Sequence, residues 1–120
     1  MCDGTYMKST RHTLTFGHTD STGDALPSRR INRAREYAIR AVCQAVGGAS
    51  SSQRAGAWVS PNGELVHELC TEVVGISRGD NTNDVEGAMQ LIARTVGMML
   101  AQHSVMVTSE SVNCEFVRPM

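Results

Sequence analysis

The spacing of hydrophobic positions switches between two and three-to-four along the chain, and those switches predict its elements. In residues 11–17, His12, Leu14 and Phe16 alternate with Thr13 and Thr15, the pattern of a half-buried strand. Residues 18–27 (HTDSTGDALP) are a loop by composition. Ile31, Ala34, Ala38, Ala41, Val42 and Ala45 then recur at helical spacing. They predict a helix capped by Ser28, running to Val46 and stopped by Gly47-Gly48. Its small-residue face allows close seating on a sheet. Residues 49–53 are expected to be a flexible linker. Residues 54–59 and 64–77 predict a β-hairpin around Ser60-Pro61-Asn62-Gly63, where proline fixes one φ and Asn-Gly accepts positive φ. Val73, Val74 and Ile76 make the end of the second strand apolar on both faces, as in a central strand.

After a turn at 78–83, Asn83 and Glu86 have the spacing of a capping box for a second helix over 84–102. Val85, Met89, Ile92, Val96, Met99 and Leu100 form its stripe, widened by Leu91 and Met98. Gly87 and Gly97 cost helix propensity and suggest close approach to a neighbour. Residues 104–109 and 111–117 predict a last strand, bent or bulged near Ser109-Glu110-Ser111. Residues 1–10 are a flexible N-terminal arm, and 11–117 form a single domain.

The order β-α-β-β-α-β is that of the ferredoxin-like α+β plait, a four-stranded antiparallel sheet with two helices on one face. Its other face is left open, so a homodimer formed through the sheet is expected.

Composition narrows the picture. With 120 residues the chain is one domain, and 41% hydrophobic residues against 4% aromatic place the core on aliphatic side chains and methionine. The net charge of -1 argues against nucleic acid and acidic membranes as partners. Even so, Arg29, Arg30, Arg33, Arg35 and Arg40 concentrate on the first helix. Cys2, Cys43, Cys70 and Cys114 lack zinc spacing and read as free thiols of a cytoplasmic protein. No export signal or membrane span is apparent in the sequence.

The segment GAWVSPNGELVHE, with Gly56, Trp58, Gly63, Leu65 and Glu68, resembles a Gly-x-Trp…Gly-x-Ile/Leu-x-x-Glu pattern. That pattern is found in a bacterial domain family of uncharacterised function. LTFGHTDSTG and QHSVMVTSESVNCEFV resemble the opening and ending of the same family. The chain departs from it in the linker, where GGASSSQRA replaces a Pro-Phe-Pro-type segment, and in lacking the export signal many relatives have. The resemblance implies a ferredoxin-like fold and a dimer, with no activity attached.

Glu64, Glu68 and Glu72 recur every four residues and would share a sheet face, where they read first as a solvated or interface row of charges. The sharper reading joins Glu68 to His67 and His12 as a ligand-binding group, although strand parity points His67 away from Glu68. His12, His18, His67 and His103 lack metal-ligand spacing, so no metal or other cofactor is expected. Asp80-x-Thr82-x-Asp84 fails as a calcium loop, with Val85 and Leu91 where glycine and glutamate belong. Cys70 reads as an inert thiol. No phosphate-loop, dinucleotide or nucleophile-elbow motif is present. Trp58 reads as a packing or interface anchor. Arg29, Arg33 and Arg40 read first as a solvated face, and in the functional reading as a docking patch for an acidic partner or a phosphate backbone.

No catalytic set assembles from these residues, so catalytic residues are unassigned and enzymatic activity is left open. The leading expectation is a non-enzymatic protein-interaction module with a protein partner, of a size that would also suit a phage-encoded inhibitor of a host or defence complex. The alternative is a small dimeric α/β-barrel-type enzyme or ligand-binding protein using Glu68 and a histidine.

Overall fold

A computed structural model describes residues 7–79 and 82–119. Its elements are β1 (Met7–Gly17), α1 (Ser28–Val46), β2 (Ser50–Val59), β3 (Leu65–Arg78), α2 (Thr82–Met99) and β4 (Met106–Cys114). The four strands form one antiparallel sheet in the order β2-β3-β1-β4. This is the ferredoxin-like topology, and β3 is central as its apolar end requires.

The alternation in β1 sets the two faces of the sheet. Leu14 and Phe16 face the helices with Val73 of β3, and this layer packs on Ile31, Ala34, Ala38 and Val42 of α1 and on Val85, Met89, Ile92 and Val96 of α2. One glycine permits a contact that the sequence pattern does not announce. A Cβ on Gly75 of β3 would lie 2.6 Å from Val42 Cγ1 and 2.7 Å from Val46 Cγ2, so α1 presses directly on the strand backbone. Gly87, expected to mark a close approach, has nothing within 4 Å, and Gly97 makes an ordinary contact with Val105.

Several boundaries differ from the expected ones. β1 starts at Met7, inside the expected arm, because β4 pairs with it from Met7↔Cys114 onward. The rest of that arm, residues 1–6, lies outside the described residues. The expected linker at 49–53 is mostly strand, since Ser50 to Gln53 pair with Val74 to Thr71. Polar side chains suit such an edge, whose pairing is made by backbone. Pro27, not Ser28, is the N-cap of α1, with no side-chain hydrogen bond, while Gly47 closes the helix at φ 95°. α2 begins before Asn83, so the capping box does not start it; the Asn83 side chain lies outside the described residues. Leu91 and Met98 are exposed, and Ala93 is buried in the core. β4 runs unbroken through Ser109–Ser111, and the expected bulge is absent from its register with β1.

α2 ends three residues earlier than expected. Gln102 N–H donates to Gly97 O at 2.9 Å, and Ala101 N–H to Met98 O at 3.4 Å. This is a Schellman closure with Ala101 at φ 52° in the position usually held by glycine. The β2–β3 hairpin projects beyond the helices and makes the molecule long, 57 Å against 29 and 26 Å.

Candidate functional site

The best-built polar cluster lies where β1 leaves the sheet. The open face carries Arg54, Gly56 and Trp58 of β2, Glu68, Cys70 and Glu72 of β3, and Thr13, Thr15 and Gly17 of β1, as register and alternation require. Glu68 is half-buried there and stands opposite Gly56. Its carboxylate lies over Gly17, where a Cβ would come within 2.6 Å of Oε2. Glycine on both neighbouring strands leaves the space above this carboxylate free of their side chains. The Thr19 hydroxyl donates to Glu68 Oε2 at 2.6 Å, fixing its direction.

The loop carrying Thr19 is itself held. The Gln102 side-chain amide donates to Gly17 O at 2.7 Å and Thr19 O at 2.9 Å. Ser21 N–H donates to Ala101 O at 2.9 Å, and Leu26 N–H to His18 O at 2.9 Å. Asp20 Oδ1 accepts from Thr22 N–H at 2.9 Å and Asp24 N–H at 3.0 Å. The Thr22 hydroxyl and these bonds hold the Asp20 carboxyl below its usual range. Thus the end of α2, through Ala101 and Gln102, positions the loop that positions Glu68.

His18 shares a hydrogen bond of 2.8 Å with Thr71 Oγ1 on the helix side of the sheet, through Nε2. Burial lowers its pKa, opposed by the charge of Glu68 and assisted by that of Arg35. Cys70 is a half-buried free thiol. Burial pushes its pKa up, and Glu72 and Glu68 push the same way, so its nucleophilic thiolate is disfavoured.

The residues singled out from sequence separate. Glu64 sits in the hairpin turn, accepting from Asn62 Nδ2 at 2.9 Å, so the expected row of three on the strand is reduced to Glu68 and Glu72. Glu72 pairs with Arg54 at 3.0 Å. His12, His67 and Glu68 do not converge. His12 is fully buried beside Ser77, with 2.8 Å between Nε2 and Oγ. His67 is exposed and opposite Ala57, on the other face of the hairpin from Glu68. Among the described residues no His, Cys, Asp and Glu group could hold a metal ion. Trp58 is 47% exposed on the projecting hairpin. Arg29, Arg33 and Arg40 are exposed on α1.

No protein-family model and no curated protein matches the chain. Solved structures do. A phage SAM lyase in complex with S-methyl-5'-thioadenosine aligns over 90% of both chains, with TM-score 0.63 and 16% identity. A phage SAM lyase in the apo state aligns over 98% of both chains, with TM-score 0.59 and 18% identity. CutA from Synechococcus elongatus covers 93% of this chain and 87% of its own, with TM-score 0.56 and 10% identity. At these identities the likeness concerns the fold.

Sequence reasoning missed Gly17, Thr19 and Gln102. Gly17 ends an alternating strand and looks like a loop signal. Only the β1–β3 register, with Gly17 opposite Cys70, brings Glu68 above it. Gln102 was placed within a helix, whereas its position just after the closure frees its amide to cap the loop.

Proposed function

We propose that the chain is a small-ligand protein whose site is the Glu68 carboxylate, and that S-adenosylmethionine is the ligand. The observation that carries this reading is the fixed, half-buried Glu68 carboxylate, held by Thr19 in a space left open by Gly17 and Gly56. A preset carboxylate suits a cationic group, such as a sulfonium or an ammonium, because its orientation is set before the ligand arrives. The fit over 90% of both chains to a phage lyase holding S-methyl-5'-thioadenosine supports the choice of ligand. That thioether remains when the bond from the sulfonium sulfur to the amino-acid arm breaks with its electron pair on sulfur, while the arm's own carboxylate oxygen attacks the same carbon and closes a lactone. Glu68 would hold the cation before that step. Calorimetry with S-adenosylmethionine and S-methyl-5'-thioadenosine, with chromatography for thioether release, tests the reading. Binding that is lost in Glu68→Gln supports it; no heat and no thioether from the wild type refutes it.

The same proposal includes self-association. The projecting hairpin exposes Trp58, Val59, Leu65 and Leu69, and the open sheet face is uncovered in a single chain. A second copy would cover both and close the space over Glu68. Light scattering on the wild type and Trp58→Ala checks this: a dimer that falls to monomer in the variant supports it, and a wild-type monomer refutes it.

The exposed apolar hairpin also favours a second reading, a protein-interaction module, with Arg29, Arg33 and Arg40 facing an acidic partner. Kinship with the bacterial family resembled by the Gly56–Glu68 segment, and a cytoplasmic setting suited to the free thiols Cys43, Cys70 and Cys114, belong to the proposal as well. No described helix is long and apolar enough to cross a membrane.

A further inference from the structure

A second concavity lies away from the open sheet face. It is a groove of about 680 Å³ between α2 and β4, floored by Ala93, Gly97, Val105 and Val107. Arg94 and His103 stand on its walls, and no Asp or Glu lines it. Glu86, one turn before the lining residue Gln90, is engaged instead by the Ser109 hydroxyl at 3.4 Å. Among the described residues the Arg94 side chain makes no ion pair or hydrogen bond. A guanidinium left unpaired beside an apolar floor is suited to a carboxylate attached to an apolar body. The groove also has a polar edge. Gln102 lines the groove, its amide contacts go to Gly17 at the end of β1 and to Thr19 in the loop that follows, and its Oε1 is buried without a donor. That acceptor calls for an N–H or O–H donor, which a carboxylate does not supply, so the attraction for an anion comes from Arg94 and His103.

We infer that the α2–β4 groove binds a small organic anion with a flat apolar body, its carboxylate on Arg94 and His103 and its body on Gly97 and Val105. The inference is independent of the Glu68 reading, because Gly17, Thr19, Gly56 and Glu68 are not among the residues that line the groove. Gln102 borders each of them, so an occupant of the groove would steady the loop that carries Thr19.

The test is ¹H–¹⁵N NMR titration of the full chain with 2-naphthoate, and with neutral 2-naphthamide as its uncharged counterpart. Saturable shifts are expected at Gly97, Ala101, Val105 and the Gln102 side-chain amide. Binding of 2-naphthamide should be about tenfold weaker, the discrimination expected of one charged hydrogen bond. Arg94→Gln, an exposed helix substitution that leaves the core intact, should weaken 2-naphthoate by about the same factor and leave 2-naphthamide unchanged. Shifts that fail to saturate, that fall on Trp58 and Leu65, or that are equal for both compounds overturn the inference.

Discussion

Replacing Gly17 with alanine isolates the device that orients Glu68. The new Cβ would stand 2.6 Å from Glu68 Oε2, 2.8 Å from Cδ and 3.0 Å from Oε1. Ordinary contact needs roughly 3.4 Å or more, so the carboxylate must swing away. It is the far end of a flexible side chain, and the backbone at Gly17 has no positive φ, so the strand itself accepts alanine. What is lost is the 2.6 Å bond from Thr19. A hydrogen bond to a charged group contributes about 1.5–3 kcal/mol, and partial exposure places this one at the lower end. Alanine recovers about 0.5–1 kcal/mol over glycine in a strand. The net cost is therefore about 1 kcal/mol, or about 3–5 °C in Tm for a chain of this size. Urea unfolding of Gly17→Ala, Thr19→Ala and the double variant measures it. Once Thr19 is gone, Gly17→Ala should cost nothing further or stabilise slightly. Additive costs in the double variant would refute the claim that the glycine exists to seat this carboxylate.

Gly75→Ala should be far more costly, because its Cβ would strike Val42 and Val46 in the packed layer between β3 and α1. About 1–3 kcal/mol is expected, and Val42→Ala in the same chain should recover part of it in the same unfolding assay. Ala101→Gly should stabilise by about 1 kcal/mol, read as a raised Tm, since φ 52° is a conformation glycine adopts without strain. Burial lowers the pKa of His12 from its ordinary 6.5, against a smaller opposing effect of Glu86, and burial also lowers that of His18. The unfolded chain then binds the extra protons, so the stability these histidines contribute should be level around neutral pH and fall as pH drops through 6.5. A denaturation series from neutral to mildly acidic pH checks this, and His12→Gln should flatten the fall.

Element types were legible in the sequence because they rest on local periodicity. The alternation of His12, Leu14 and Phe16, the three-and-four spacing from Ile31 to Val42, and the Ser60–Gly63 turn each report a conformation that neighbouring residues settle among themselves. The order of those elements then restricts the topology to few choices, so the ferredoxin-like sheet followed. Ends of elements were less legible. Ser50–Gln53 is strand only because β3 lies beside it, and β1 reaches Met7 only because β4 pairs there. The candidate site was least legible of all. Glu68 was visible as a carboxylate on a strand, but its partner Thr19 is 49 residues away and the Gln102 amide that holds their loop is 83 residues from Thr19. Parity separated His67 from Glu68 correctly, whereas the burial of His12 against Ser77, 65 residues on, depended on strand register. Local sequence determines which conformations each segment prefers. Which side chains meet, and which glycine must stay bare beneath a carboxylate, was decided only when long-range pairing brought distant strands to 5 Å of one another, roughly the spacing of neighbours in any sheet.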